Sequence, residues 1–392
     1  MNYYEKALLA HEEWAGKISV ELKGKLENQE DLSIAYTPGV AQPCLEIEKN
    51  PDAAYKYTWK GNTIAIVSDG SAVLGLGNIG PAAAMPVMEG KAVLFKHFGD
   101  VNAVPLCIDT QDPEEIIQFV KAIGPSFGGI NLEDIAAPKC VEIERRLIDE
   151  MDIPIFHDDQ HGTAIVVTAA MINSLKLVNK RPEDVTVVVT GTGAAGSSII
   201  RMLKEWNIKE IYAFASKGII TKANAGDNFV KQEIAEMTNT KQENLSLKDA
   251  LAKADVYIGV SAPGIITEEM IAGMKDNAIV FPMANPEPEI HYEVAKRAGA
   301  RIVGTGRSDF PNQVNNVLAF PGLFKGALKV RASKITSEMK MAAAQGLASL
   351  ISETELNEEF VIPRPFDPKV ADVVAKAVAD KAIEQGLARV NL

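Results

Sequence analysis

The segment 185–196, VTVVVTGTGAAG, limits the possible folds of this chain more than any other stretch. Residues 186–190 are all β-branched, which is typical of a strand buried inside a parallel sheet. That strand runs into Gly191, Gly193 and Gly196 at G-x-G-x-x-G spacing, and 197–206 have the periodicity of a helix. Glycines at this spacing let the backbone approach a pyrophosphate at the helix N-terminus. The segment predicts dinucleotide binding; the alternative is a tight turn that holds no ligand.

Further strand and helix patterns alternate after this segment. We predict strands at 211–216, 254–264, 278–286 and 301–306, and C-terminal helices at 333–351 and 368–388. This alternation is typical of a Rossmann-type, doubly wound parallel sheet. A chain of 392 residues is also too long for one ordinary core. We therefore expect an α/β protein with an N-terminal α/β domain (1–160) and a dinucleotide-binding domain with a helical tail (161–392), linked by an apolar helix at 163–179.

The composition argues against several classes of partner. The net charge is −12, from 40 basic and 52 acidic residues. The sequence contains no basic block, so nucleic acid is not an expected partner. No apolar run approaches the roughly 20 residues of a membrane span, and the start is neither a signal peptide nor an anchor. Cys44, Cys107 and Cys140 are isolated, which suits a reducing cytoplasm, and we interpret them as small buried hydrophobes.

The N-terminal third contains two polar residues of interest. We expect one or two helices in 4–28, with an inward apolar face, and then an irregular segment at 31–44 that contains Tyr36. The inward residues are Leu8, Leu9, Trp14, Ile18 and Leu22. A strand at 62–68 and a helix at 85–99 follow. Lys91 on this helix has apolar neighbours, so burial would lower its pKa towards that of a general base. The alternatives are a solvated Lys91 and a Tyr36 that only packs at a turn.

Two carboxylate pairs lie at the ends of strand-like segments. Glu133 and Asp134 end one segment, and Asp158 and Asp159 end another about 25 residues later. Adjacent carboxylates repel each other, and an all-oxygen ligand set suits Mg²⁺ or Mn²⁺. The alternative is that they cap helices or lie in solvated turns. Other polar residues follow the later predicted strands, where they either bind ligands or bridge loops: Ser261, Asn285, Asn315 and Asn316.

Eight motifs in order resemble those of the malic enzyme family. They span about residues 36–322 and are YTPGV, SDGSAVLGLGNIGP, MPVMEGKAVLFK, NLEDI, FHDDQHGTA, GTGAAG, NPEPE and NNVLAFPG. The length is similar to that of the short bacterial and archaeal form. The resemblance implies that L-malate is oxidatively decarboxylated to pyruvate and CO₂ with NADP or NAD. A malolactic conversion with bound NAD and a non-catalytic regulatory subunit are the alternatives.

The resemblance also implies a role for each matching residue. Tyr36 matches the general acid, and Lys91 matches the general base, which also contacts the substrate. Glu133, Asp134 and Asp159 match the ligands of Mg²⁺ or Mn²⁺, and Asp158 matches a supporting acid. The expected substrate-binding asparagines are Asn285 and one of Asn315 or Asn316. The expected cofactor-binding residues are Gly191, Thr192, Gly193, Ala194, Ala195, Gly196, Ser216, Lys217, Ser261 and Asn285.

Two departures from the family pattern affect specificity. Larger members carry an arginine that binds a substrate carboxylate where this chain has Ala72, so a loop amide at 75–80 or a partner residue must replace it. The segment after the second Rossmann strand has Ser216 and Lys217 and no acid for the ribose hydroxyl of NAD, which favours NADP. The family also implies a homodimer, in which Tyr36 could serve the neighbouring subunit's site.

Overall fold

The computed structural model describes residues 2–390, and its first sheet is parallel throughout. The strands are β1 (Thr63–Ser68), β2 (Asn102–Cys107), β3 (Gly129–Leu132) and β4 (Ile155–His157), in the order β2-β1-β3-β4. β1 and β3 are fully buried, as their apolar sequences require. The ends of β3 and β4 lead directly into the two predicted carboxylate pairs.

The second sheet has the predicted doubly wound topology. Its strands are β5 (Thr186–Thr190), β6 (Glu210–Ala215), β7 (Gly218–Ile219), β8 (Val256–Gly259), β9 (Ile279–Pro282) and β10 (Ile302–Val303). Their order is β10-β9-β8-β5-β6-β7, so the strand order reverses at β5, where such sheets bind ligands. The antiparallel strand β7 was not predicted. It forms because Ser216 and Lys217 make a two-residue turn that Gly218 closes at φ 110°.

Helices cover both sheets and form the C-terminal tail. They are α1 (Tyr3–Trp14), α2 (Gln29–Ala35), α3 (Ala41–Lys49), α4 (Ala54–Tyr57), α5 (Pro81–Gly99), α6 (Pro113–Ile123), α7 (Lys139–Glu150), α8 (Asp158–Leu177), α9 (Ala194–Glu205), α10 (Phe229–Met237), α11 (Leu247–Ala252), α12 (Glu268–Ala272), α13 (Tyr292–Arg297), α14 (Phe320–Lys329), α15 (Ser337–Ser349) and α16 (Val370–Glu384). Among residues 2–390, no helix has the length and apolarity that crossing a membrane requires.

The N-terminal segment differs from its prediction in two respects. α1 has no buried residue, and all five side chains expected to point inward are exposed, Leu8 by 77%. Amphipathic spacing identifies an apolar face, but it does not show what covers that face. The segment 31–44, expected to be irregular, overlaps two helices. Asn28 caps α2 by accepting the N–H of Asp31, and α3 begins at Ala41. Cys44 lies on α3 and is exposed, so the interpretation as a buried hydrophobe is wrong for this cysteine.

Helix α8 begins five residues before the predicted start. Asp158 and Asp159 continue from β4 straight into its first turn, where carboxylates interact favourably with the helix N-terminus. One continuous apolar core includes Ile64 of the first sheet, Val187 of the second, the body of α8 and the tail helices α14–α16. These tail helices pack on each other and on the core, which makes them a scaffold.

Candidate functional site

A cavity of about 1230 Å³ opens beside the carboxyl ends of β3 and β4. Its wall contains polar residues predicted from sequence and apolar residues of α5 and the 73–76 loop. The predicted residues in the wall are Lys91, Glu133, Asp134, Asp159 and Asn316. Parallel topology explains the grouping, since strands 25 residues apart end at the same edge of the sheet.

Three of these carboxylates form a compact acidic group. One oxygen from each of Glu133, Asp134 and Asp159 lies within 4.8 Å of the others. Asn131 holds Glu133 by donating to Oε2 at 2.8 Å, and the Asp134 N–H donates to Asp159 Oδ2 at 2.8 Å. Asp134 is in the left-handed region, at φ 54°. An all-oxygen group of this size suits Mg²⁺ or Mn²⁺, so the donors fit the predicted metal.

The electrostatics of this group also favour a cation. Burial, followed by the charges of Asp159 and Glu133, raises the pKa of Asp134 to about 9. Burial likewise raises the pKa of Glu133. Carboxylates that repel each other in a buried site become stable as anions when a cation lies between them.

Lys91 lies at the inner end of the cavity, between two carboxylates. Its Nζ is 2.5 Å from Asp158 Oδ2 and 2.8 Å from Glu133 Oε1, and it lies 4.1 Å from the centre of the Phe320 ring. Burial lowers the pKa of Lys91, as expected, but the charges of Asp158 and Glu133 outweigh burial and raise it. The expectation of a lowered pKa is therefore wrong for the protein without ligands, since the sequence did not reveal these two ion pairs.

Asp158 joins Lys91 to the 316–318 turn. Its Oδ2 also accepts from Asn316 Nδ2 at 2.5 Å, while its Oδ1 is buried without a hydrogen-bond partner within the described residues. A Cβ on Gly162 would lie 1.9 Å from that Oδ1, so this glycine makes room for the carboxylate. Of the two asparagines left open by the sequence, Asn316 reaches the cavity, whereas Asn315 accepts the N–H of Val317 and caps the turn.

The glycine-rich loop fits a dinucleotide. Gly191 has φ 90°, and a Cβ there would lie 2.2 Å from the Val260 carbonyl oxygen. A Cβ on Gly196 would lie 1.8 Å from the Gly191 carbonyl oxygen, whereas one on Gly193 would meet nothing within 4 Å. The open side of Gly193 is thus where a pyrophosphate could approach. Thr192 precedes it, and Ala194 and Ala195 begin α9, whose first N–H groups no described side chain caps.

The other expected cofactor residues lie near this loop or in exposed turns. Ser216 and Lys217 are exposed in the β6–β7 turn. The Ser261 hydroxyl already contacts Thr190 Oγ1 at 2.9 Å and Glu289 Oε1 at 3.2 Å, which holds it at the end of β8. Asn285 is exposed in the segment after β9.

Tyr36 does not lie with these residues. It follows α2, is 68% exposed, and is not part of the cavity wall formed by the described residues. Ala72, where larger family members carry arginine, is exposed beside the site and donates its N–H to the Asp134 carbonyl oxygen at 2.9 Å. Among residues 2–390, no tyrosine therefore lines this cavity, and position 72 carries no arginine.

A buried bridge between α8 and α9 was not predicted. His161 Nε2 lies 2.7 Å from Glu144 Oε2, and its Nδ1 lies 2.8 Å from Ser198 Oγ. Burial lowers the pKa of His161 to about 4, so a neutral ring donates to Glu144 and accepts from Ser198. This bridge joins the helix that carries Asp159 to the helix that follows the glycine loop. The motif FHDDQHGT contains this histidine, but its partners lie 17 and 37 residues away.

Comparison with known proteins gives consistent matches over the whole chain. Residues 15–148 match the family described as malic enzyme, N-terminal domain, and residues 160–383 match malic enzyme, NAD binding domain. The chain is 54% identical to the bifunctional malic/malolactic enzyme of Bacillus subtilis, covering 100% of this chain and 96% of the relative. It is 52% identical to the NAD-dependent malic enzyme of Geobacillus stearothermophilus, covering 99% and 81%. The crystal structure of malic enzyme from Pyrococcus horikoshii superimposes with a TM-score of 0.95 at 48% identity, covering 100% and 93%.

Proposed function

Because the chain belongs to the malic enzyme family, we propose that it catalyses the oxidative decarboxylation of L-malate to pyruvate and CO₂. The chain is an NAD(P)-dependent oxidoreductase. Its acidic group has the oxygen donors that suit a divalent metal ion. The observation that carries the proposal is the cavity in which Lys91 contacts Glu133 at 2.8 Å and the acidic group lines the same wall.

In this proposal the metal ion and the dinucleotide bind to different parts of the chain. Glu133, Asp134 and Asp159 would hold Mg²⁺ or Mn²⁺, and the loop 191–196 would hold the dinucleotide. When bound, the two groups supply Lewis acidity at the C2 oxygen of malate and a hydride acceptor next to C2.

The remaining steps belong to side chains of this chain. Lys91, as the neutral amine, takes the proton of the C2 hydroxyl, for which its position at the inner end of the cavity is suitable. A cation held by Glu133, Asp134 and Asp159 would offset part of the carboxylate charge that raises the pKa of Lys91, and burial would then favour the neutral amine. Asn316 and Asn285 bind the substrate, and Asp158 orients both Lys91 and Asn316 through its Oδ2. Tyr36 donates a proton to the carbon that loses CO₂.

NADP is the preferred cofactor in this proposal. The turn after β6 offers the Ser216 hydroxyl and the Lys217 ammonium, both exposed, and it has no carboxylate. A 2′-phosphate would be repelled by an acid there, whereas a hydroxyl and a lysine can bind it.

A homodimer accounts for the exposed N-terminal segment and for the position of Tyr36. The apolar face of α1 and of the residues after it is uncovered in the single chain. A second copy would cover that face, and its Tyr36 would supply the phenol that this cavity lacks. We also propose a cytoplasmic location, because three free cysteines suit a reducing compartment. The division between the two domains is proposed near residue 160.

The test is an initial-rate assay with L-malate and Mn²⁺ that follows both the reduced cofactor and pyruvate. We expect equal amounts of the two products and a higher rate with NADP than with NAD. A higher rate with NAD would refute the interpretation of Ser216 and Lys217 but leave the reaction intact. Absence of pyruvate with both cofactors would refute the proposed reaction.

A malolactic conversion is the second candidate. It is favoured by one observation, the name of the Bacillus subtilis relative, which is a bifunctional malic/malolactic enzyme. In that case the same assay would yield lactate with no net reduced cofactor.

A further inference from the structure

Lys17 is a second lysine in the cavity wall, and the mechanism above does not use it. It lies after α1, where Ala15 at φ 51° and Gly16 at φ 111° turn the chain back onto α5. The Lys17 N–H donates to Glu89 Oε2 at 3.1 Å, and its Nζ donates to the Pro86 carbonyl oxygen at 2.6 Å. Lys17 is thereby held on α5 through both its backbone N–H and its ammonium group.

These contacts bring the Lys17 ammonium group close to the stretch of α5 that carries Lys91. A Cβ on Gly90 would lie 3.7 Å from Lys17 Nζ, and Gly90 immediately precedes Lys91. Lys17, Gly90 and Lys91 all line the same cavity as the acidic group. Lys17, which packs on α5, and Lys91, which belongs to α5, therefore line the same cavity near one stretch of that helix.

The two ammonium groups differ in how much of their charge is already compensated. Lys91 forms ion pairs with Glu133 and Asp158. Lys17 Nζ forms no ion pair with any residue of the described chain; its one hydrogen bond is to a backbone carbonyl. Burial lowers the pKa of Lys17, and the charge of Glu89 opposes that effect only in part, so a second anion beside the ammonium group would oppose it further. Two of its three N–H groups are free to contact such an anion.

We propose that Lys17 binds a carboxylate of the substrate, specifically the C1 carboxylate that remains in pyruvate. The inference rests on the proposed function, since L-malate carries two carboxylates. A cation on the C4 carboxylate would stabilise the charge that must disappear as CO₂ leaves, and so would slow that step. A cation on the C1 carboxylate has no such cost. Lys17 thus takes the place of the side chain that Ala72 does not supply.

The experiment compares Lys17→Met with Lys17→Arg and with the matched control Lys25→Met, an exposed lysine of the same segment. Oxalate is the probe, because it resembles the C1 and C2 end of malate and has no departing carboxylate. Calorimetric titration of oxalate into protein with Mn²⁺ and NADP needs no turnover, so it remains informative even if the proposed reaction fails. The KM for L-malate is measured in parallel.

For Lys17→Met we expect the Kd of oxalate and the KM of L-malate to rise together, by about 10- to 100-fold, the range for hydrogen bonds to charged groups. Lys17→Arg should recover most of the affinity, and Lys25→Met should match the wild type. The Kd of NADP and the melting temperature should be unchanged in all variants. Unchanged oxalate binding would overturn the proposal, and so would a loss confined to L-malate, which would place Lys17 on the C4 carboxylate.

Discussion

Lys91 combines two roles that are usually in conflict, since it is both a buried ion-pair partner and the proposed base. Its contacts with Asp158 and Glu133 fix the ammonium group at the inner end of the cavity. The dinucleotide loop follows a strand of the other sheet, and among residues 2–390 no hydrogen bond or ion pair joins it to Lys91. Chemistry and cofactor binding should therefore be separable by substitution.

We predict that Lys91→Ala lowers turnover by at least about 10²-fold, the usual contribution of a general base, while the Kd of the reduced cofactor stays near the wild-type value. Steady-state rates and a fluorescence titration with the reduced cofactor measure the two effects. Because the substitution leaves Asp158 and Glu133 without their partner, the melting temperature must be measured as well. Normal turnover in this variant would remove Lys91 from the mechanism.

Two glycines of the same loop should respond in opposite ways to alanine. In Gly196→Ala the new methyl group would clash with the Gly191 carbonyl oxygen, so we predict a fall in stability. In Gly193→Ala it would enter open space at φ −77°, so the fold should persist while dinucleotide binding weakens by about 10-fold or more. Thermal unfolding and cofactor titration of both variants test this pair. Tight cofactor binding by a stable Gly193→Ala protein would contradict the assigned pyrophosphate position.

The acidic group could be predicted from sequence because its members lie at the ends of neighbouring strands. Glu133 and Asp134 are adjacent, and Asp159 follows a strand that neighbours theirs, so residue types and strand ends sufficed to group them. Lys17 and His161 depend on contacts with Glu89 and Ser198, which lie 72 and 37 residues away. A single sequence contains no signal for such pairs, because only the folded chain brings them together.

Helix α10 connects two other helices through one carboxylate. Glu233 accepts from Arg145 of α7 at 2.7 and 2.8 Å and from Arg201 of α9 at 2.8 Å. The hydrogen bonds from Arg145, and then those from Arg201, lower the pKa of Glu233 to about 2 although partial burial opposes them. A carboxylate with a lowered pKa stabilises the fold fully above its ordinary pKa, and this contribution is lost as the pH falls towards 2.

We therefore predict that Glu233→Gln lowers the free energy of unfolding at pH 7 by about 1 kcal/mol, a modest value because solvent screens the group. The difference from the wild type should shrink below about pH 4.5. Thermal unfolding from pH 7 to pH 3.5 measures this. Glu236→Gln is the matched control, since Glu236 of the same helix pairs with the exposed Lys222 and with no other cationic side chain of the described residues. It should matter little at any pH.

Elements with a strong pattern were predicted well, and those that depend on an unseen neighbour were not. The strands β1 and β5 follow from continuous apolar runs and lie close to where they were predicted. The helix α5 ends as predicted but begins at Pro81, four residues before the predicted start. The short strand β7 depends on the turn at Ser216 and Lys217, and a Ser-Lys-Gly sequence does not by itself specify such a turn. The apolar face of α1 was predicted to pack against a core, but no residue of α1 is buried.

The whole molecule is incomplete as a catalyst in the form of one chain, if Tyr36 is the acid. We predict that Tyr36→Phe and Lys91→Ala proteins are each nearly inactive, and that mixing them after dissociation restores about a quarter of the wild-type activity. That fraction follows because half of the random dimers are mixed, and each mixed dimer has one intact site out of two.

The control for this experiment is a chain that carries both substitutions, mixed with Lys91→Ala, because no pairing of those chains yields an intact site. Sedimentation of the mixture shows whether dimers have formed. Dimers with no recovered activity would mean that Tyr36 serves its own chain or no site at all.

The bridge from His161 to Ser198 has one more consequence. His161 is the fourth residue of α8 and Ser198 is the fifth residue of α9, so their hydrogen bond brings the N-terminal ends of the two helices together. Each helix start carries about half a positive charge from its aligned peptide dipoles, which gives about one charge in total. The backbone of a protein with net charge −12 thus already provides part of the positive potential that anionic ligands meet in the cleft.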